Sequence, residues 1–276
     1  MTPVPYLCRV ASMSPEFEAG LPITSIRSTA VFQFPHMLAV RTLLALPIGL
    51  AATAPASAQS VHHVNAQLAT GANTGTTWAD AFQGASGLQA ALAAATSSDT
   101  IFVAEGEYLP SSTGDPTAWF MMKDGVNLYG GFAGGESTPA QRPPAGSRPT
   151  VLSGDLAGDD ATPTGSRMDN SIHVVFADST VGSATLDGFL ITRGGNSVPA
   201  TSANGAGLLN VRGRLTIRGC IFRGNRTLNQ GGGAFFFDTE GCVLEDCLFE
   251  DNESPAGSGG LQFFSCNDRV DRCIFR

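Results

Sequence analysis

The chain has 276 residues, with 16 basic and 24 acidic side chains and a formal net charge of −8. Lys123 is its one lysine. So acidic a chain excludes nucleic acid and an anionic membrane surface as electrostatic partners. It suits a soluble exported protein and is compatible with divalent-cation binding.

Residues 43–58 read LLALPIGLAATAPASA and follow Met37-Leu38-Ala39-Val40-Arg41. That is a short charged start, an apolar stretch and a small-residue cleavage site at Ala56-Ser57-Ala58. The apolar run is too short, and too interrupted by Pro47, Gly49 and Pro55, for a membrane span. The pattern predicts a signal peptide over 37–58, cleaved near Gln59, with Met37 as the true start. Residues 1–36 are then expected to be a mis-called upstream extension; a real but unusual leader is the alternative. The first 58 residues hold three arginines and two glutamates, leaving 13 basic and 22 acidic residues in the 218 that follow. That length suffices for one sizeable domain.

Next comes an Ala-rich amphipathic stretch over 86–95, SGLQAALAAA, which predicts a helix with Ser86 as N-cap. Strands are predicted at 100–104, 126–129, 150–153, 173–176 and 186–192, where short apolar or alternating runs lie between turn residues. Longer loops rich in Pro, Gly, Ser and Thr are expected at 109–120, 133–149, 156–170 and 194–204.

From residue 186 onward the sequence repeats. Leu215 to Asn225, Cys242 to Asn252 and Asp268 to Arg276 align, placing Cys220, Cys247 and Cys273 at intervals of 27 and 26. Ile217, Leu244 and Val270 precede these cysteines by three residues, and Phe222, Phe249 and Phe275 follow by two. Leu186, Phe189 and Ile191 form a weaker copy. A second set, Gly207-Leu208, Gly233-Ala234 and Gly260-Leu261, shares the period. Alternating short segments with Gly and Asn between them are strand chemistry, and a period near 27 predicts stacked coils of a solenoid. Like residues then stand over like residues about 4.8 Å apart. Cys220, Cys247 and Cys273 form one interior ladder, Phe222, Phe249 and Phe275 another, and Asn225 and Asn252 stack at a turn. The 86–95 helix is expected to plug the open apolar end of the first coil.

The pairing of Gly-Gly-Ala (232–234) or Gly-Gly-Leu (259–261) with Phe-x-x-Asn (222–225, 249–252) resembles the repeat of the polymorphic outer-membrane proteins. The same motif occurs in exported bacterial β-helix proteins of pectin-lyase-like fold. Trp78-Ala-Asp-Ala-Phe82, Leu88-Gln-Ala-Ala-Leu92, Asp99-Thr-Ile-Phe-Val103, Gly106-Glu-Tyr108 and Leu128-Tyr-Gly-Gly-Phe132 resemble the opening of such proteins. The resemblance covers 60–276 and implies an all-β, right-handed parallel β-helix with an N-terminal capping helix. The chain stops at Cys273-Ile-Phe-Arg276, before the next expected Asn, so the domain over 59–276 is expected to be incomplete at its C-terminus. In the family the missing part would hold further coils and a surface anchor or outer-membrane barrel, the one route to a membrane.

Three chemistries are open to this scaffold. The loop Gly154-Asp155-Leu-Ala-Gly-Asp159-Asp160, closed by Asp169 and Asn170, offers the clustered carboxylates that a calcium ion requires, without an EF-hand pattern; a solvated polar loop explains the same residues. Strand alternation points Phe235 and Phe237 outward with Phe264 stacked on Phe237, an aromatic ladder suited to glycans or a cell-surface partner. A pectate-type lyase would need calcium carboxylates with an Arg or Lys base on one face, and Arg193, Arg218, Arg223, Asp187 and Asp246 are the residues in position. Arginine recurs at 212, 214, 218 and 223 as an ordinary outward residue, so a solvated charged face is the simpler expectation. His62, His63 and His173 lack metal-ligand spacing. A Cys242–Cys266 bridge between coils stays open beside free thiols, because strand parity would equally defeat it. The sequence thus favours a non-catalytic, exported surface or extracellular scaffold, adhesin-like or carbohydrate-binding. A polysaccharide lyase whose catalytic coils are partly missing is the alternative.

Overall fold

The structure is a computed structural model that describes residues 59–160, 167–195 and 203–276. The expected extension over 1–36 and signal peptide over 37–58 lie outside the described residues. The described chain is an all-β, solenoid-like stack of three parallel sheets. The first has eight strands: Asn267–Asp271, Glu240–Glu245, Leu215–Arg218, Ala184–Asp187, Asn127–Phe132, Thr100–Ala104, Val61–Asn65 and Phe82–Gln83, in spatial order. The second has six: Ile274–Phe275, Leu248–Glu250, Ile221–Arg223, Leu190–Thr192, Thr150–Ser153 and Gly106–Tyr108. The third has five: Leu261–Phe264, Ala234–Phe237, Leu208–Val211, Val175–Ala177 and Phe120–Met121. Every strand pairing is parallel.

The chain visits the sheets in rotation, so each strand pairs with its equivalent one coil away. Leu186, Ile217, Leu244 and Val270 stand opposite one another in the first sheet. Ile191, Phe222, Phe249 and Phe275 do so in the second. Leu208, Ala234 and Leu261 do so in the third. The alternate residues point outward. Full burial of each Leu, Ile or Phe contributes about 1.5–3 kcal/mol, and the core runs unbroken from Val64 to Phe249. Glycine precedes the third-sheet ladder because the neighbouring coil leaves no room for a side chain. A Cβ on Gly207 would lie 2.4 Å from the Gly233 carbonyl oxygen, and one on Gly233 would lie 2.4 Å from that of Gly260.

From Leu186 onward each corner of a coil includes a residue in the left-handed region. After the first sheet these are Gly188, Gly219, Asp246 and Arg272; after the second, Arg193, Gly224 and Asp251; after the third, Arg212, Asp238 and Ser265. Leu186–Thr192, predicted as one strand, is two strands that break at Gly188, whose φ of +82° no β-strand accommodates.

The helix spans Gly87–Ala94 and buries Leu88, Ala91 and Leu92, an i, i+3, i+4 stripe, against the first strands of the first sheet. Ser86 occupies the N-cap position, but its hydroxyl makes no capping bond, because φ −89° and ψ 1° hold it out of the extended conformation that capping uses. The C-terminal end is satisfied from outside. Lys123 Nζ donates to the Leu92 carbonyl at 2.9 Å and to that of Ala95, placing a cation where the helix dipole favours it. None of the described helices is long and apolar enough to cross a membrane.

The asparagines and thiols carry hydrogen bonds between coils. Asn225, fully buried, accepts from Gly194 N–H (2.9 Å) and donates to the Ile191 carbonyl (3.0 Å) and to Asn252 Oδ1 (3.0 Å). Asn252 donates in turn to the Phe222 carbonyl (2.8 Å). Cys220, Cys247 and Cys273 each direct the thiol at a carbonyl one coil back, those of Leu186, Ile217 and Leu244. Cys242 and Cys266 are free. Gly241 creates a bulge between Glu240 and Val243 that sets the Cys242 N–H against Asp268, while Cys266 meets the Thr239 hydroxyl. The register therefore separates the two sulfurs.

Candidate functional site

Four places on the surface bring chemistry-bearing side chains together. The first is a groove of about 460 Å³ over the corner between the first and second sheets. In later coils two residues make that corner; after Phe132 it expands into the loop 133–149. Pro139, Pro143, Pro144 and Pro149 stiffen this loop. The Glu136 carboxylate accepts the N–H groups of Ala133, Gly134 and Gly135, which outweigh its burial and hold it below the usual glutamate range. Trp78 Nε1 donates to the Glu136 carbonyl at 2.7 Å. Arg142 fastens the loop to the sheet. Its Nη1 donates to Gly130 O (2.9 Å) and Asp187 Oδ1 (2.8 Å), its Nε to Pro139 O (2.9 Å), and its plane lies over Tyr129 and Phe132. Arg148 and Arg223 complete the cationic lining, and Gly130, Gly188 and Gly219 form the floor.

The second place is the acidic loop. Asp155, Asp159 and Asp169 each bring a carboxylate oxygen within 4.8 Å of the others. Asp160 is outside that group and turns to Asn170 Nδ2 (2.8 Å) and Arg167 (3.8 Å). Asp155, almost fully buried, already accepts from the N–H groups of Gly158, Asp159 and Asp160. Asp169 accepts from Ala157 N–H at 3.1 Å. These bonds fold the loop around the Asp155 and Asp169 carboxylates.

Third are the outward aromatics. Phe237 and Phe264 stack with ring centroids 5.5 Å apart and planes 9° from parallel, and Phe264 is 56% exposed. Phe235 departs from the expected exposed stripe. It is 3% exposed yet does not belong to the interior core cluster, so it is an outward-side residue that is covered. The accessible ladder is reduced to Phe237 and Phe264.

Fourth is the charged face. Arg218 pairs with Glu245 at 3.0 Å, Arg223 with Glu250 at 2.6 Å, Arg212 with Asp238 at 2.8 Å and Arg272 with Asp246 at 2.6 Å, each across neighbouring coils. Glu245 and Glu250 are also contacted from the next coil by Arg269 and Arg276. Arg193 pairs with Glu107 at 2.9 Å and approaches Asp155. The arginines and aspartates weighed as lyase residues are thus held as rungs between coils, while Asp187 serves Arg142 in the groove.

No family model, curated protein or solved structure matches this chain. The site residues therefore rest on geometry alone. The histidines have local partners. His62 Nε2 lies 3.3 Å from Asp99, His63 Nδ1 lies 3.2 Å from the Gly75 carbonyl, and His173 Nδ1 lies 2.9 Å from that of Gly205. Burial lowers the pKa of His63 and of His173, keeping the latter neutral, with its Nδ1 proton on the Gly205 carbonyl. Sequence reasoning missed the groove. Its signal was present in a loop of four prolines and two arginines inserted where each later coil has a two-residue corner.

Proposed function

We propose that this chain is an exported right-handed parallel β-helix of the type found in polymorphic outer-membrane proteins, and that it serves as a glycan-binding, adhesin-like scaffold at the cell surface or outside it. The handedness follows from the rule that parallel crossover connections are right-handed in about 98% of cases. Export rests on the signal-like segment over 37–58. The observation that carries binding is the stacked, solvent-facing Phe237–Phe264 pair, a flat apolar surface of the kind that takes a sugar ring or an apolar partner. The pairing of Arg193, Arg218 and Arg223 with acidic neighbours favours a scaffold over the lyase alternative, which needs an unengaged cationic base.

The test uses the full chain in glycan-array and cell pull-down assays beside a Phe237→Ala/Phe264→Ala variant, and in a polygalacturonate assay with calcium. Binding by the parent that the variant loses, with no unsaturated product, is the expected result. Appearance of unsaturated product, or a variant that binds as the parent does, overturns the reading.

A further inference from the structure

We propose that the groove under the 133–149 loop is a second binding site, for a carboxylate- or sulfate-bearing sugar chain. The inference rests on the glycan-binding reading above for its ligand class, but on different residues. Charge is the first argument. The whole chain is acidic at −8, yet the ionisable side chains lining this groove are Arg142, Arg148, Arg223 and a single acid, Asp187. Glu105 and Glu250, which pair with Arg148 and Arg223, stand outside the lining. Counting Asp187, Glu105 and Glu250 against the three arginines, the groove is charge-balanced where the molecule as a whole is acidic, so an anion entering it meets less repulsion than elsewhere on the surface.

Donor supply is the second argument. Arg148 commits Nη1 to Glu105, and Arg223 commits Nε to Glu250. Arg142 commits Nε and Nη1. Among the described residues the remaining guanidinium N–H groups of all three have no partner. Planar forks with spare N–H groups match carboxylate and sulfate oxygens.

Shape is the third argument. At about 460 Å³ the groove has the size of ordinary ligand sites. Its floor crosses successive coils over Gly188 and Gly219, where no side chain obstructs a ligand lying along the stack. In the next two coils the same corner carries Asp246 and Arg272, which pair with each other, and the lining ends before them. Arg142 and Glu136 hold the loop in place before any ligand arrives, so little ordering is left for binding to cost. The groove lining contains no exposed aromatic ring on which a nucleobase would stack. An acidic glycan is the occupant that these features favour.

The experiment is calorimetric titration of the full chain with three probes: a galacturonic acid hexamer, a heparin hexasaccharide and a single-stranded DNA 12-mer. At least one acidic sugar is expected to bind, more weakly as salt rises. Arg148→Gln/Arg223→Gln is expected to weaken that binding by about tenfold or more per guanidinium removed. Phe237→Ala/Phe264→Ala is expected to leave it unchanged. Which sugar binds distinguishes carboxylate from sulfate recognition. If the double Gln variant melts early, Arg148→Lys/Arg223→Lys keeps the charge, removes the fork and is expected to weaken binding by itself. Failure of both sugars to bind, binding equal in parent and variants, or DNA binding as tight as sugar overturns the proposal. Loss of binding only in the phenylalanine variant would support the aromatic site and refute this one.

Discussion

Phe249 offers the sharpest test of the stacked core. It is 1% exposed and lies between Phe222, 4.7 Å away and tilted by 2°, and Phe275, 4.9 Å away and tilted by 9°. Truncating a buried phenylalanine to alanine costs about 3–5 kcal/mol. Two stacked partners, each worth about 0.5–1.5 kcal/mol beyond burial, put Phe249→Ala near the top of that range. Phe275 is the same residue type in the same column, but it is 51% exposed and stacks on one ring. Phe275→Ala should therefore cost about 1–2 kcal/mol, scaled from half the burial. Urea denaturation of the full chain, followed by far-ultraviolet circular dichroism, measures both. Phe249→Leu, which keeps most of the volume, should cost much less than Phe249→Ala. Equal losses for the two alanine variants, at unchanged denaturant slope, would refute the view that each coil is stabilised by rings on both of its sides.

Asn225→Ala removes bonds to Gly194, Ile191 and Asn252 from a fully buried site, and should cost about 2–3 kcal/mol by the same assay, against a smaller loss for the half-buried Asn252. Asp99 is almost fully buried; burial works to raise its pKa, but the N–H groups of Thr96 and Ser60, the Thr96 hydroxyl and His62 hold it at about 2. A depressed folded-state pKa means that stability is present above the unfolded value of 3.8 and is lost as pH falls toward 2, by at most about 2 kcal/mol. Asp99→Asn should abolish that part of the acid transition in a pH series. His173 behaves in the same direction at higher pH. Its lowered pKa makes the fold lose stability as pH falls below 6.5, and His173→Gln should flatten the curve there. Native alkylation read by peptide mass spectrometry should mark Cys266 and Cys273 before Cys220 and Cys242, whose burial pushes both thiols up to about 12.

The parallel, all-β architecture was legible because its causes are periodic. Apolar residues 26 or 27 apart must share a layer when each coil buries one face against the next, and the strands at those positions do pair. The helix over 86–95 was legible from its apolar spacing. The corners were not. Arginine at 193, 212 and 272 adopts positive φ because the stacked strands on either side fix the turn, and arginine has no intrinsic preference that would reveal it. The covering of Phe235 was equally hidden, since strand parity gives a residue's side and says nothing of what lies over it. Of the acidic loop the sequence showed the carboxylates, but not that Asp155 spends its oxygens on the loop's own backbone. The groove requires knowing that the 133–149 loop folds back over glycine corners contributed by residues some 40 to 90 positions later.

Because every sheet runs across the stack, its hydrogen bonds all point along the long axis. A tension applied at the two ends of the described chain would therefore peel these bonds one coil at a time instead of shearing a whole sheet at once. Each detached coil of 26 or 27 residues would release about 90 Å of contour. The force trace should be a shallow staircase rather than a single tall peak. Such a rod yields gradually under load, and rewinds from whatever coils remain.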